Sequence, residues 1–255
     1  MSAYALTDSA TMLRRNLRHA LRYPAMTFST LLTPVLMLLL FNYAFGGALE
    51  AGIGGGAYID YIAPGIILVG ATAGSVATAV AVSVDMTEGI VNRFRTMAIS
   101  RGSILTGHVF GSAIQTLGSI VTVIAVALAI GFRPSANALG WLGVIGLLTL
   151  VTFALTWLSA AFGVTAENPE AASNAPMPLL FLPLLGSAIV PTDTMPTAMR
   201  YFAEYQPFTP IIETLRGLLM GTAIGDSWIW ALGWCAVMGV GGYLWARAAF
   251  AREPA

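Results

Sequence analysis

The stretch YIAPGIILVGATAGSVATAVAVSV, Tyr61–Val84, runs straight into DMTEGIVNRFRTMAISRG, Asp85–Gly102. The first half holds no charged side chain and is longer than the about 20 apolar residues a helix needs to cross a bilayer core. The second half is densely charged, with Asp85, Glu88, Arg93, Arg95 and Arg101. A spanning helix delivered into a charged, patterned connection is therefore the first element the sequence specifies.

The rest of the chain repeats the apolar half of that pattern. Of its 255 residues, 57% are hydrophobic and only 9% charged, against about 25% charged in a soluble domain. Disorder is excluded by the same numbers, because disordered chains are poor in apolar residues. Spans are predicted over 25–45, 61–84, 104–130, 139–164, 177–190 and 228–249. Pro34, Asn42 and Tyr43 interrupt the first, and the short fifth carries Pro178 and Pro183. The fold class is an all-α integral membrane protein with six transmembrane helices, forming one domain over 1–255. A further stretch, 195–221, is helical in pattern but holds Arg200, Glu204, Glu213 and Arg216. Each such charge would cost about 2.5–3.5 kcal/mol at the centre of a span, so the segment is expected to be interfacial or re-entrant.

Arginine sets the orientation. All 12 basic residues are Arg. With the N-terminus in the cytoplasm, nine of them (Arg14, Arg15, Arg18, Arg22, Arg93, Arg95, Arg101, Arg247, Arg252) fall inside and three (Arg133, Arg200, Arg216) outside. Both termini are expected in the cytoplasm. The first apolar run follows an Arg-rich helix and is too long for a cleaved signal. In that preceding helix, 11–23, Arg14, Arg18 and Arg22 form a stripe beside Leu13, Leu17 and Leu21, and Pro24 ends it. The pattern suits a helix lying in the membrane interface; it serves as a topology anchor or also touches a cytoplasmic partner.

In the charged connection Ile90, Phe94 and Met97 recur at helical spacing. A positive-inside anchor accounts for the arginines. It does not account for Phe94 between Arg93 and Arg95, an aromatic anchor of the kind that fills a pocket on a soluble partner. In the third span His108, Ser112, Gln115 and Ser119 make a polar stripe, which must face protein or water. Interhelical hydrogen bonding and the lining of a substrate path both fit. Gly70-x-x-x-Gly74 and Gly107-x-x-x-Gly111 allow close helix approach, either within one subunit or at a subunit seam.

Three regions together resemble the ABC-2 type transporter permeases, in particular those of the daunorubicin-resistance type. EGIVNRFRTMAISR, Glu88–Arg101, is similar to their cytoplasmic signature. FLPLLGSAIVPTDTMPTAMRYFAEYQPFTPIIETLRGLLMG, Phe181–Gly221, is similar to their fifth span, their Val-Pro-x-x-x-x-Pro turn and their closing Arg-Gly-Leu-Leu-x-Gly element. YIDYIAPGI, Tyr58–Ile66, resembles the opening of their second span. Gln206 stands where Asn is frequent, and Met97-Ala98 where Leu-Pro is usual. The resemblance implies a half-transporter: two permease subunits, alike or different, form the membrane path and two P-loop ABC ATPase subunits dock beneath. It makes 88–101 the coupling helix, with Glu88, Gly89, Arg93, Phe94, Arg95 and Arg101 facing the ATPase. It makes 195–221 a pair of re-entrant helices at an outer gate that includes Pro191, Pro196, Pro207, Glu213 and Arg216.

Function classes drop out by residue type. The chain has no Lys and no Gly-rich loop ending in Lys-Ser/Thr, so no P-loop; ATP and magnesium are expected on the partner ATPase and no cofactor on this chain. Cys235 is the one cysteine, and His19 and His108 are the two histidines, which leaves no metal cluster and no catalytic triad. Gly52-x-Gly54-x-x-Ala57 imitates a dinucleotide fingerprint but follows no strand. Nothing points to nucleic acid. The expected function is the membrane subunit of an ATP-driven exporter of amphipathic or lipid-like compounds, in a bacterial cytoplasmic membrane. Polysaccharide or glycolipid export is the alternative. An ion-coupled carrier is less favoured, because such carriers use ionisable groups near the midplane.

Overall fold

The computed structural model describes residues 24–53, 55–87 and 101–252; the side chains of 24–31, 51, 101–104 and 252 are not described. The predicted interface helix with Arg14, Arg18 and Arg22 lies outside the described residues. So do Glu88, Gly89, Arg93, Phe94 and Arg95, while Arg101 is the first residue of a helix.

The described elements are helical, in the order α1 Pro24–Leu39, α2 Gly46–Leu49, α3 Tyr58–Thr87, α4 Arg101–Ala129, α5 Ala138–Thr165, α6 Pro169–Asn174, α7 Met177–Phe181, α8 Thr197–Tyr205, α9 Phe208–Met220 and α10 Ser227–Arg252. Five helical stretches are long and apolar enough to cross a membrane: Leu32–Leu49, Tyr58–Thr87, Leu105–Ala129, Ala138–Thr165 and Ser227–Ala251. They fall on five of the six predicted spans, because an uninterrupted apolar run is the whole signal for a spanning helix. A π-helical segment, Leu40–Phe45, joins α1 to α2, at the point where Asn42 and Tyr43 interrupt the first run. The wider π turn lets the helix continue through α2, beyond the predicted boundary at 45.

The remaining predicted span, 177–190, is not a continuous helix. Only Met177–Phe181 is helical, and a chain of turns follows, tied by Leu182 N–H to Pro178 O at 3.1 Å, Leu185 N–H to Phe181 O at 3.0 Å and Gly186 N–H to Pro183 O at 3.2 Å. Pro178 and Pro183 carry no N–H and crowd the preceding turn. The ladder cannot run unbroken past them.

α3 is the hub. Two-thirds of its spanning window is buried, against 17–39% for the other four, and it packs on α1, α4, α5, α6 and α9. Gly74 makes the α3–α4 crossing close: a Cβ there would sit 2.5 Å from Thr116 Oγ1. The Gly70-Gly74 motif thus serves packing within the chain. α5 lies between α3 and α10. Its first turn is capped by Asn137, whose side chain accepts the Gly140 N–H at 2.8 Å, one of the donors that a helix start leaves unpaired. The outward surfaces are apolar and exposed, with Leu142 and Ile145 on α5 and Trp230, Val237, Val240 and Leu244 on α10. An exposed apolar surface of this extent belongs to a protein covered by lipid or partners. This is a multi-pass membrane protein.

A large apolar core fills the middle and the end where α3 begins, and a smaller cluster closes the other end. Val82, Leu105, Val109, Val164, Ala246 and Phe250 form that smaller cluster. It brings together the end of α3, the start of α4 and the ends of α5 and α10. This is called the connection end below, because residues 88–100 link α3 to α4 there. The end where α3 begins is called the far end.

Candidate functional site: polar clusters at the two ends

The far end is organised by Arg216. Residues 195–221 form two helices, α8 and α9, broken at Gln206-Pro207. α9 buries Phe208, Ile211, Ile212, Leu215 and Leu219 against the core, which carries Arg216 inward beside the start of α3. Its side chain is only 12% exposed. Nε and Nη2 each donate to Tyr61 O at 3.2 Å, and Nη2 also donates to Ser187 O at 2.7 Å. Nη1 reaches Glu213 Oε1 at 2.7 Å. The guanidinium carbon lies 3.8 Å from the centre of the Tyr61 ring, a cation–π distance. One side chain therefore holds α9, α3 and the 182–190 turns together. A buried ion without such partners would be untenable.

Further bonds fix the same joint. Tyr58 donates to Ile189 O at 3.0 Å. Buried Gln206 donates from Nε2 to Thr209 Oγ1 at 3.0 Å and accepts the Phe208 N–H at 3.2 Å, and Thr209 Oγ1 accepts the Ser187 N–H at 3.3 Å. Gly65 permits the contact of α3 with the turns, since a Cβ there would lie 2.6 Å from Ala188 Cα. Around the joint, Pro191 opens a short turn over Thr192–Thr194, Pro196 precedes α8 and Pro207 precedes α9. The predicted residues Pro191, Pro196, Pro207, Glu213 and Arg216 thus belong to one end of the molecule. Arg200 and Glu204 pair at 2.6 Å on the exposed face of α8, and the hydrogen bond that Arg200 Nε donates to Glu204 holds its guanidinium above its ordinary pKa.

The connection end holds a different pair. His108 Nε2 lies 2.8 Å from Asp85 Oδ2, each side chain 12% exposed. A carboxylate can only accept, so Nε2 carries the proton in this contact. The bond links the last turn of α3 to the second turn of α4, one on each side of the 88–100 connection. Of the predicted stripe, His108, Ser112 and Gln115 are half-buried and Ser119 is buried. Ser119 donates to Gln115 O at 3.2 Å, so its hydroxyl is satisfied within its own helix.

Sequence reasoning found His108, Glu213 and Arg216 but missed Asp85 as a partner of His108, and missed Tyr61, Ser187, Gln206 and Thr209. Asp85 carried one usable signal: an acid terminating an apolar run opposite a histidine early in the next one. Among the described residues no group of three or more His, Cys, Asp or Glu could hold a metal ion.

A polar knot at one end, an acid–base pair at the other and apolar exposed helix faces between suit a membrane path. The comparisons agree. The daunorubicin resistance ABC transporter permease protein DrrB1 of Streptomyces coeruleorubidus is 28% identical over 222 residues, 87% of this chain and 78% of that protein. The probable doxorubicin resistance ABC transporter permease protein DrrC of Mycobacterium tuberculosis is 24% identical over 215 residues, 81% of this chain and 76% of that protein. The ABC-2 type transporter family profile matches residues 8–220, which takes in all three motif regions but for the final Gly221, and the chain belongs to the ABC-2 type transporter family.

Proposed function

We propose that this chain is the membrane-spanning subunit of an ATP-driven exporter that moves amphipathic or lipid-like compounds out of the cytoplasm or the inner leaflet. ATP and magnesium bind a separate P-loop ATPase, present in two copies under two permease subunits. The chain sits in the bacterial cytoplasmic membrane with both termini inside, and 88–101 is the coupling helix. The two short helices at the far end are re-entrant and shape the outer gate.

The observation that carries this reading is the Asp85–His108 contact across the roots of the charged connection. A docking helix transmits force only if the two helices it joins move together. The pair binds α3 to α4 two residues before the end of α3 and seven residues into α4. Six crossings fit the same frame. α5 ends at the connection end, whereas Ile189 is bonded to Tyr58 at the far end. These two placements support reading residues 166–190 as the sixth crossing, proline-broken rather than a straight helix. The end of α10 lies at the connection end as well, which supports placing that end on the cytoplasmic side assigned by the arginine count.

The test is reconstitution with the partner ATPase in inverted vesicles, with daunorubicin as the probe compound. The expected result is ATP-dependent uptake that Phe94→Ala and Glu88→Ala cut at least fivefold, with unchanged membrane levels and no ATP hydrolysis by the purified chain alone. Full uptake in both variants would remove the coupling helix. Hydrolysis by the pure chain would remove the division of labour.

A further inference from the structure

A cavity of about 430 Å³ opens on the side of the molecule at the connection end, between α4, α5 and α10. Its size is that of a ligand pocket. Leu105, Trp157 and Phe250 supply apolar lining, and Thr106, Tyr243 and Arg247 supply polar groups. The Trp157 and Tyr243 rings meet edge to face with centres 4.9 Å apart. Along α10, Arg247 lies four residues beyond Tyr243, about 6 Å nearer the helix end at 1.5 Å per residue. The cavity is thus graded, with an aromatic pair deeper in the bilayer and a cation at its rim.

Arg247 is exposed and has no carboxylate partner among the described residues. Its contrast is Arg216, which satisfies its guanidinium four times within the protein. The sequence adds Arg101 one turn before Leu105 and Arg252 next to the cavity's last residue; Glu253 is the one acid in those flanking stretches. The nearest carboxylate on α3, Asp85, is engaged by His108. The surface beside the cavity is apolar and exposed, with Phe110 46% and Leu244 56% accessible, so it opens toward hydrocarbon and not toward water. An occupant must therefore be apolar along its length and anionic at the end that meets Arg247. Basic pockets between spanning helices take lipid headgroups in this way, and a guanidinium matches phosphate oxygens two at a time.

We propose that this cavity holds one anionic phospholipid, its headgroup phosphate against Arg247 and an acyl chain along Trp157 and Tyr243. The site is distinct from both polar clusters, and it stands whether or not the export reading holds. It gives the chain a preference for the lipid that surrounds it at the cytoplasmic leaflet.

The test uses the full chain purified in detergent, stripped of lipid and titrated with phosphatidylglycerol, with phosphatidylcholine or with inorganic phosphate. Native mass spectrometry counts bound lipid. The expected result is one phosphatidylglycerol held at least tenfold more tightly than phosphatidylcholine. Arg247→Ala should remove that preference, Arg247→Glu should reverse it and Arg247→Lys should keep part of it. Arg247 has no carboxylate partner among the described residues, so thermal unfolding should be the same in all four proteins. Inorganic phosphate at millimolar concentration should leave the lipid in place. Equal binding of the two lipids by the parent chain, or a preference that survives Arg247→Glu, would overturn the proposal. So would displacement of the lipid by inorganic phosphate, which would leave a free-anion site only. Should Arg247→Ala unfold, Arg247→Lys supplies the comparison, and no loss of preference in Arg247→Glu still decides against the site.

Discussion

The far end and the connection end join the same helices by different chemistry. At the far end one guanidinium bonds two backbone carbonyls and a carboxylate and lies on an aromatic face, while Gln206, Thr209 and Tyr58 tie the neighbouring backbone. At the connection end the bond of Asp85 with His108 joins α3 to α4 over a small apolar cluster. An interlocked polar joint resists displacement because moving any member leaves a buried group unsatisfied, at about 1–3 kcal/mol each. One side chain thus fastens three elements at the far end, while at the connection end the pair fastens α3 to α4 on either side of the charged connection.

The contrast breaks most visibly at Arg216. Arg216→Ala leaves Tyr61 O and Ser187 O without their donor and Glu213 without its cation. Losing one side of a fully buried pair costs about 3–5 kcal/mol, and the 39% exposure of the Glu213 side chain places this loss below that range. The expected outcome is a large fall in thermal stability of the purified chain, with Arg216→Lys intermediate because an ammonium cannot serve the same diverging acceptors. Unfolding of Arg216→Ala at the parent temperature would mean that the far end is not held by this residue.

The pair at the connection end sharpens the comparison by a smaller amount. His108→Ala and Asp85→Ala should each destabilise by about 1–3 kcal/mol. The double variant should cost less than the sum of the two, because the second substitution removes the charge orphaned by the first. A strictly additive cycle would show that the contact contributes nothing. The exchange Asp85→His with His108→Asp restores the two groups in reverse order and should recover part of the loss. Recovery of transport with it would tie the pair to coupling and not only to folding.

What the sequence made legible follows the same division. Five spans were readable to within a few residues because α3, α4, α5 and α10 are uninterrupted apolar runs, and the first run needs only a π-helical adjustment at Asn42 and Tyr43. The segment 177–190 was read as a helix on hydropathy alone, and Pro178 and Pro183 decided otherwise. Glu213 and Arg216 stood out as costly charges in an apolar context. Their true setting was hidden, because Arg216 bonds mainly to main-chain oxygens, which every residue possesses and which leave no trace in the sequence. Asp85 and His108 were each visible, but their meeting depends on the relative stagger of two helices, which hydropathy does not encode. Gly74 was correctly read as a close-packing residue; that its neighbour would be Thr116 rather than a second subunit required the structure.

The smallest effect is expected where the chemistry looks most like that of Arg216. Arg200 and Glu204 form an ion pair on α8 at 2.6 Å, as short as the Arg216–Glu213 contact at 2.7 Å, and both pairs join neighbouring turns of one helix. They differ in surroundings. The Arg200 side chain is 50% exposed against 12% for Arg216, and its guanidinium binds no other element. Water solvates the separated charges of an exposed pair almost as well as they solvate each other, and ordering two long side chains uses up most of what remains. Arg200→Ala should therefore leave thermal unfolding unchanged within error, at low and at high salt alike. A drop comparable to that of Arg216→Ala would show that α8 is buried in the working assembly, against a second subunit or the headgroup layer. The two arginines, measured side by side, thus separate what the ion pair contributes from what the burial around it contributes.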